Sequence, residues 1–251
     1  MSDFNEQIVT TQQVRKKTLL AFLIFFIFLS GCVFTWYWLH RQPKDNEALQ
    51  PLRAVLNTNE KIFKSALSDD HLAKTYPVSA ADHKVRVNGD AGMGGNFDTA
   101  TWKMQLVRKA GDTLLISIDD IKALPRTEVV FDFKCIEGWS QVTHWGGVRF
   151  SDFVKHYGLD EQSQMQYVGL HTPDNQYYVG IDIRSIMHPQ TILCYEMNGA
   201  PLPMNQGAPL RLIIPVKYGI KHIKRIGTIY FSNQRPPDYW FERGYDYFSG
   251  L

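Results

Sequence analysis

Residues 127–140 read TEVVFDFKCIEGWS. Val129, Phe131 and Phe133 alternate with Glu128, Val130, Asp132 and Lys134. A period of two predicts a strand whose first set faces the core. Cys135 continues the phase of 129, 131 and 133, so its sulfur is expected to point inward. Gly138 permits a turn, and Trp139 offers a flat apolar wall. A strand end that opens into a loop is where a rigid base carries chemistry. On residues alone, three readings of Cys135 stay open. It is an inert buried thiol, it pairs with Cys194 in a disulfide outside the cytoplasm, or it is a functional thiolate. Glu137 shares the side of Cys135 if the strand continues.

The composition excludes several classes. The chain has 251 residues, enough for one good-sized domain with appendages. Hydrophobic content of 44% and charged content of 21% describe a folded globular protein rather than a disordered one. A net charge of +2 gives no footprint for nucleic acid. The three cysteines, Cys32, Cys135 and Cys194, form no CxxC pair, so zinc ribbons and thioredoxin-type redox motifs are excluded. No HExxH or phosphate-loop motif occurs, and Phe97 stands where a dinucleotide fingerprint starting at Gly92 needs its third glycine. Gly138–Val142 begins like a nucleophile elbow but lacks the closing glycine.

Residues 18–39, TLLAFLIFFIFLSGCVFTWYWL, carry no charge. As a helix they span roughly 33 Å, enough to cross a bilayer core. Trp36, Tyr37 and Trp38 make an interfacial belt, and Arg15, Lys16 and Lys17 flank the other end, favouring an N-in orientation. The expected organisation is a basic tail (1–17), a retained anchor (18–39), a linker (40–79) and one domain (80–251). A cleaved signal peptide fits less well, because the apolar run is long and lacks a small-residue cleavage site. Leu29–Cys32 resembles a lipobox, but the residues after Cys32 stay apolar. In the linker, Leu52, Val55, Leu56, Ile62, Phe63 and Leu67 fall mostly on one face at helical spacing, which predicts a connecting helix packed on the domain, with a partner-binding or membrane-surface helix as the alternative.

From residue 80 the chain mixes short strands with few short helices, which predicts an α+β domain built on mixed sheet. Strands are expected at 104–107, 127–134, 166–171, 177–181, 191–196, 209–216 and 223–231. Ser117, Ser151 and Asp182 are expected helix caps.

Ordered blocks carry a family resemblance. They are FKCIEGWS (133–140) continuing to WGGV (145–148), YVGLHT (167–172), MNGAPLP (197–203) continuing to GAPLR (207–211), and PVKYGIKHIK (215–224). Together they make the chain resemble the sulfite oxidase-like molybdopterin oxidoreductases, closest to the bacterial branch containing the periplasmic methionine sulfoxide reductase catalytic subunit.

The resemblance implies a single oxidoreductase domain of the sulfite oxidase type holding a molybdenum–molybdopterin cofactor. Cys135 stands where the family places its one protein ligand to molybdenum. A soft thiolate suits a metal that already carries dithiolene sulfurs. Arg211, His222 and Lys224 match positions that grip the pterin phosphate. Thr172 and Gln206 match pterin contacts, and Asn88 falls in a looser N-terminal match. The residues themselves leave Lys217, Lys221 and Lys224 readable as a solvated basic face, and Arg211 as an exposed residue. True sulfite oxidases follow the cysteine with Gly-Asn-Arg-Arg, whose arginines help bind an anion. Here Ile136-Glu137-Gly138-Trp139 follows. An acid beside the metal repels sulfite and suits a neutral oxo substrate such as a sulfoxide.

The implied function is two-electron oxygen-atom transfer, with Cys135 fixing the metal and Glu137 handling protons or charge. His144, Trp139 and Trp145 are expected to shape the mouth. No haem or flavin motif is visible, so electrons are expected to pass to or from a membrane cytochrome or quinone-linked subunit. The expected setting is the bacterial inner membrane, single-pass, with the domain periplasmic. The alternative is a cofactor-free binding or assembly module that keeps the fold.

Overall fold

The computed structural model describes residues 10–68, 70–87, 89–94 and 97–250. Helix α1 runs over Thr11–His40, with Thr10 and Gln13 forming a capping box at its start. No residue of α1 is buried. A two-stranded ribbon, β1 (Lys44–Asp45) and β2 (Ala48–Leu49), follows, and then helix α2 (Gln50–Ala66) with proline in its first turn.

The domain proper has two five-stranded sheets. In the first, β5 (Arg126–Lys134) and β6 (Ser140–Arg149) form a hairpin. β9 (Ile192–Met197) pairs with β6, and β10 (Ala200–Pro201) and β11 (Arg211–Ile213) pair with β9, all antiparallel. In the second, the order is β4 (Asp112–Ser117), β3 (Lys103–Lys109), β12 (Thr228–Ser232), β7 (Tyr167–His171), β8 (Tyr178–Asp182). There β12 runs parallel to β3 and antiparallel to β7, so the sheet is mixed. Three short helices complete the α+β fold: α3 (Ile118–Lys122), α4 (Phe150–His156) and α5 (Ile183–Ile186).

The β5 phase is as expected. Val129, Phe131, Phe133 and Cys135 are buried and share one core cluster with Trp145, Ile192, Cys194 and Ile213. A larger cluster built from Met104, Leu106, Phe150, Phe153, Val168, Leu170, Leu212 and Ile229 holds the second sheet. Ser117 and Asp182 cap their helices through side-chain oxygens.

Several elements differ from expectation. β4 and β6 were not read as strands. In β6 the alternation breaks at Trp145-Gly146-Gly147, where the register with β9 shifts. A Cβ on Gly147 would stand 2.1 Å from the Leu193 carbonyl oxygen, so the close approach of β9 requires glycine. The expected strand 209–216 shrinks to β11, because Pro209 and Pro215 cannot donate to a ladder, and 223–231 shrinks to β12, after Arg225 at φ +61°. α4 starts at Phe150 with Arg149 at its cap, so Ser151 lies inside it and caps nothing. Helix α2 packs on the domain as expected, but mainly by a polar arc. It buries Arg53 and Glu60 and leaves Leu52, Val55 and Ile62 exposed, while Phe63 stacks on Phe248 at 6.5 Å and Leu67, at its end, packs on the core.

Candidate active site

The β5–β6 hairpin places Cys135. After the last ladder pair, Lys134 with Ser140, the chain turns through residues 135–139. The Cys135 N–H donates to the Trp139 carbonyl at 2.9 Å, and the Gly138 N–H to the Cys135 carbonyl at 3.1 Å. Gly138 takes φ +87°, which lets so short a turn close. Cys135 is thereby held, 4% exposed, on the wall of a cleft of about 110 Å3. Glu137, His222 and Lys224 line the same cleft, with Tyr177, Trp240 and Tyr245. A groove of about 540 Å3 beside Phe63 and Tyr76 holds none of the residues expected to bind cofactor.

Glu137 is oriented by its neighbour. The Trp139 indole N–H donates to Glu137 Oε2 at 3.0 Å. The indole stacks on Phe133 at 5.9 Å and lies under the Arg86 guanidinium at 4.6 Å. Trp139 therefore supports the cleft from behind. Trp145 and His144 do not shape the mouth. Trp145 is fully buried under Arg211, and His144 faces Glu128 at 3.5 Å on the far side of the hairpin.

The basic residues are buried. His222 Nε2 faces the Lys217 carbonyl at 3.1 Å, while Nδ1 is buried without a hydrogen-bond partner. Burial, then the nearby Arg211 guanidinium, push the His222 imidazole down to about 3, so it is neutral. Lys224 donates to the Gly89 carbonyl. Burial, then Arg211, lower its ammonium to about 8. Arg211 Nη1 donates to the Gln206 backbone oxygen at 3.1 Å and to Gln206 Oε1 at 2.9 Å, and Nη2 donates to the His222 carbonyl at 3.3 Å. Its Nε is buried without a partner, and burial lowers the guanidinium to about 10. Among the described residues no carboxylate pairs with Arg211. The reading of these cations as exposed is overturned. Lys217 and Lys221 are also buried, against Asp182 and Asp238.

Thr172 and Gln206 sit one layer back. Thr172 Oγ1 donates to Asp174 at 2.6 Å and accepts the Tyr177 N–H at 3.1 Å, so it fixes the tyrosine of the cleft wall. Gln206 Nε2 donates to the carbonyls of Val85 and Arg86 at 3.4 and 3.3 Å, tying the segment ahead of Gly89 to Arg211. Asn88 lies outside the described residues. The sequence reading missed Tyr177, Trp240 and Tyr245; the aromatic density of DYWFERGYDYF (238–248) was the visible signal for Trp240 and Tyr245, and Tyr177 had none beyond its place at a strand start. The disulfide reading is overturned: Cys135 and Cys194 are not bonded to each other. Cys194 donates to the Glu196 carbonyl at 3.2 Å, and burial pushes its thiol up to about 12.

These residues fit a molybdopterin. A single sulfur donor opens onto the cleft, as a metal with its own dithiolene sulfurs requires. Arg211 lines not this cleft but a separate small pocket with Gln206 and Trp139, and there a buried guanidinium with an orphan N–H and, among the described residues, no carboxylate suits an anionic ligand, since an uncompensated buried charge is costly. A phosphate meets that demand.

Residues 75–240 match the family model described as oxidoreductase molybdopterin binding domain. The chain belongs to this family. As a member it is a molybdopterin-dependent oxidoreductase, and its cofactor is molybdenum–molybdopterin. The reading as a cofactor-free module gains no support. The putative protein-methionine-sulfoxide reductase subunit YedZ1 of Azospira oryzae is 30% identical over 225 residues, covering 88% of this chain and 81% of the relative. The protein-methionine-sulfoxide reductase catalytic subunit MsrP of Campylobacter jejuni is 32% identical over 206 residues, covering 76% and 68%. Among solved structures, the sulfane dehydrogenase SoxCD of Paracoccus pantotrophus aligns with a TM-score of 0.49 at 16% identity, over 66% of this chain and 46% of that one. Outside the oxidoreductase domain, α1 is long and apolar enough to cross a membrane.

Proposed function

We propose that this oxidoreductase reduces a neutral sulfoxide, free or on a protein, by two-electron oxygen-atom transfer, with Cys135 as the protein ligand to molybdenum. The balance is sulfoxide plus two protons and two electrons giving sulfide and water. The observation that carries this reading is that Cys135 shares its cleft with the carboxylate of Glu137 and with no arginine. Sulfite is an anion, and a carboxylate on the cleft wall repels it. A sulfoxide is neutral, and its oxygen needs protons as it leaves. The relatives named as methionine sulfoxide reductases point the same way.

The cofactor, when bound, supplies the two-electron redox chemistry, and the protein orients it and controls access. Lys224 and Arg211 hold the phosphate end. Gln206 positions Arg211, and Thr172 positions Tyr177. Neutral His222 presents Nδ1 as a hydrogen-bond acceptor. Glu137, fixed by Trp139, delivers protons to the departing oxygen. α1 anchors the chain as a single inner-membrane span with the domain outside the cytoplasm. Electrons come from a membrane cytochrome or quinone-linked subunit.

The test is substrate choice by the full-length enzyme in detergent. Reduced viologen is the donor for methionine sulfoxide, and ferricyanide is the acceptor for sulfite. Sulfoxide reduction at least about tenfold more efficient in kcat/KM than sulfite oxidation is expected. Preferred sulfite oxidation would contradict the proposal.

A further inference from the structure

Helix α2 presents much of its apolar stripe away from the domain that it serves, while Phe63 at the edge of the stripe stacks on Phe248 at 6.5 Å. At roughly 100° per residue, Leu52, Val55, Leu56, Ile62 and Phe63 share one arc. Leu52, Val55, Ile62 and Phe63 are 50%, 55%, 58% and 41% exposed. The adjacent arc faces protein and grips it by polar contacts. Arg53 donates to the carbonyls of Tyr245 at 2.8 Å, Phe241 at 3.1 Å, and Asp45 and Asn46 at 3.2 Å. Glu60 pairs with Arg235 and with Lys64, each at 2.7 Å. A helix held by charges on one side and apolar on its open side is built to be covered.

The position of α2 decides what covers it. α1 ends at His40, just after the Trp36-Tyr37-Trp38 belt that marks a headgroup level. The β1–β2 ribbon then turns the chain back, and the Gln50 N–H donates to the Pro43 carbonyl at 2.9 Å. Residues 40 to 43 reach at most about 10 Å. The first turn of α2 is therefore tied close to the point where the chain leaves the bilayer. A helix with an apolar stripe, a separate polar face and that location matches one lying in a membrane interface.

We propose that α2 lies in the lipid interface, with Leu52, Val55 and Ile62 seated at the boundary between headgroups and acyl chains. This rests on reading α1 as a retained membrane span. The seat fixes the orientation of the domain. Arg53 binds the turn after α1 and the Tyr245 carbonyl at once, and Tyr245 and Trp240 rim the cleft. The rim is thus held on the membrane-facing side, where a membrane-embedded electron carrier reaches it.

The test uses full-length protein carrying Cys32→Ser, because Cys135 and Cys194 are buried. Single substitutions Val55→Cys and Ile62→Cys carry a bimane fluorophore, with Lys61→Cys and Ser65→Cys as controls on the polar arc. The vesicles are phosphatidylcholine with phosphatidylglycerol. Lipid nitroxides near the headgroup are expected to quench positions 55 and 62 several-fold more than 61 and 65, and aqueous iodide the reverse. Iodide quenching of all four positions alike in vesicles would overturn the seat. Protection of 55 and 62 only when a membrane protein is added, or only at concentrations where the chain self-associates, would overturn it too. A carbonate wash separates the two readings. Release of the chain from vesicles contradicts the anchor and the seat together. A retained chain with water-exposed 55 and 62 contradicts the seat alone.

Discussion

The Trp139 indole N–H donates to Glu137 Oε2 at 3.0 Å, two residues from the buried Cys135. The turn 135–139 thus carries the metal-ligand candidate, an acid and the group that aims the acid. The acid is the feature that separates this cleft from one built for sulfite. Glu137→Gln keeps the shape and the Trp139 contact while removing the charge. Competitive inhibition by sulfite is expected to strengthen about tenfold, roughly 1.4 kcal/mol, while kcat for sulfoxide falls. Inhibition kinetics on the full-length enzyme measure both.

Arg211 is buried with Gln206 and, among the described residues, without a carboxylate, and the proposal gives it the anionic end of the cofactor. Arg211→Met is expected to lower molybdenum content by about tenfold or more, since a charge-assisted phosphate contact contributes about 1.5–3 kcal/mol. Gln206→Ala acts through Arg211 and is expected to give a smaller loss, because Arg211 keeps the 206 backbone oxygen. Metal analysis of the purified variants measures the order.

His222 sets an acid limit. Its folded value of about 3 lies below the ordinary histidine value. Above about pH 6.5 both folded and unfolded chains hold it neutral, so stability is unaffected. Below that, the unfolded chain takes up a proton that the folded one refuses, and stability is lost as pH falls toward 3. By pH 5 the loss reaches about 2 kcal/mol. Chemical denaturation at pH 7 and pH 5 is expected to show this slope in the parent and a flatter one in His222→Gln.

The β5 phase was legible because period two survives from Val129 to Cys135 and only local geometry is needed to read it. β6 was not, because the residue that breaks its pattern, Gly147, answers to the Leu193 carbonyl across the sheet. The buried cations were misread for the same reason. Lys217 and Lys221 meet Asp182 and Asp238 only once β8 and the C-terminal segment are assembled. Helix α2 showed its apolar stripe plainly, but the stripe does not say which side meets the domain. The carbonyls gathered by Arg53 decide that, and they come from segments on both sides of the domain in sequence.

Cys135 and Cys194 are both buried and share no disulfide, yet of the two Cys135 opens on the cleft. Cys194→Ser is expected to cost about 1–2 kcal/mol of stability, from a hydroxyl placed in an apolar site, and to leave activity intact. The most direct test of the account is X-ray absorption at molybdenum in the parent and both serine variants. The account predicts one sulfur neighbour fewer, with loss of activity, in Cys135→Ser, and an unchanged centre in Cys194→Ser. A sulfur count unchanged in Cys135→Ser, or lowered equally in both variants, would contradict it.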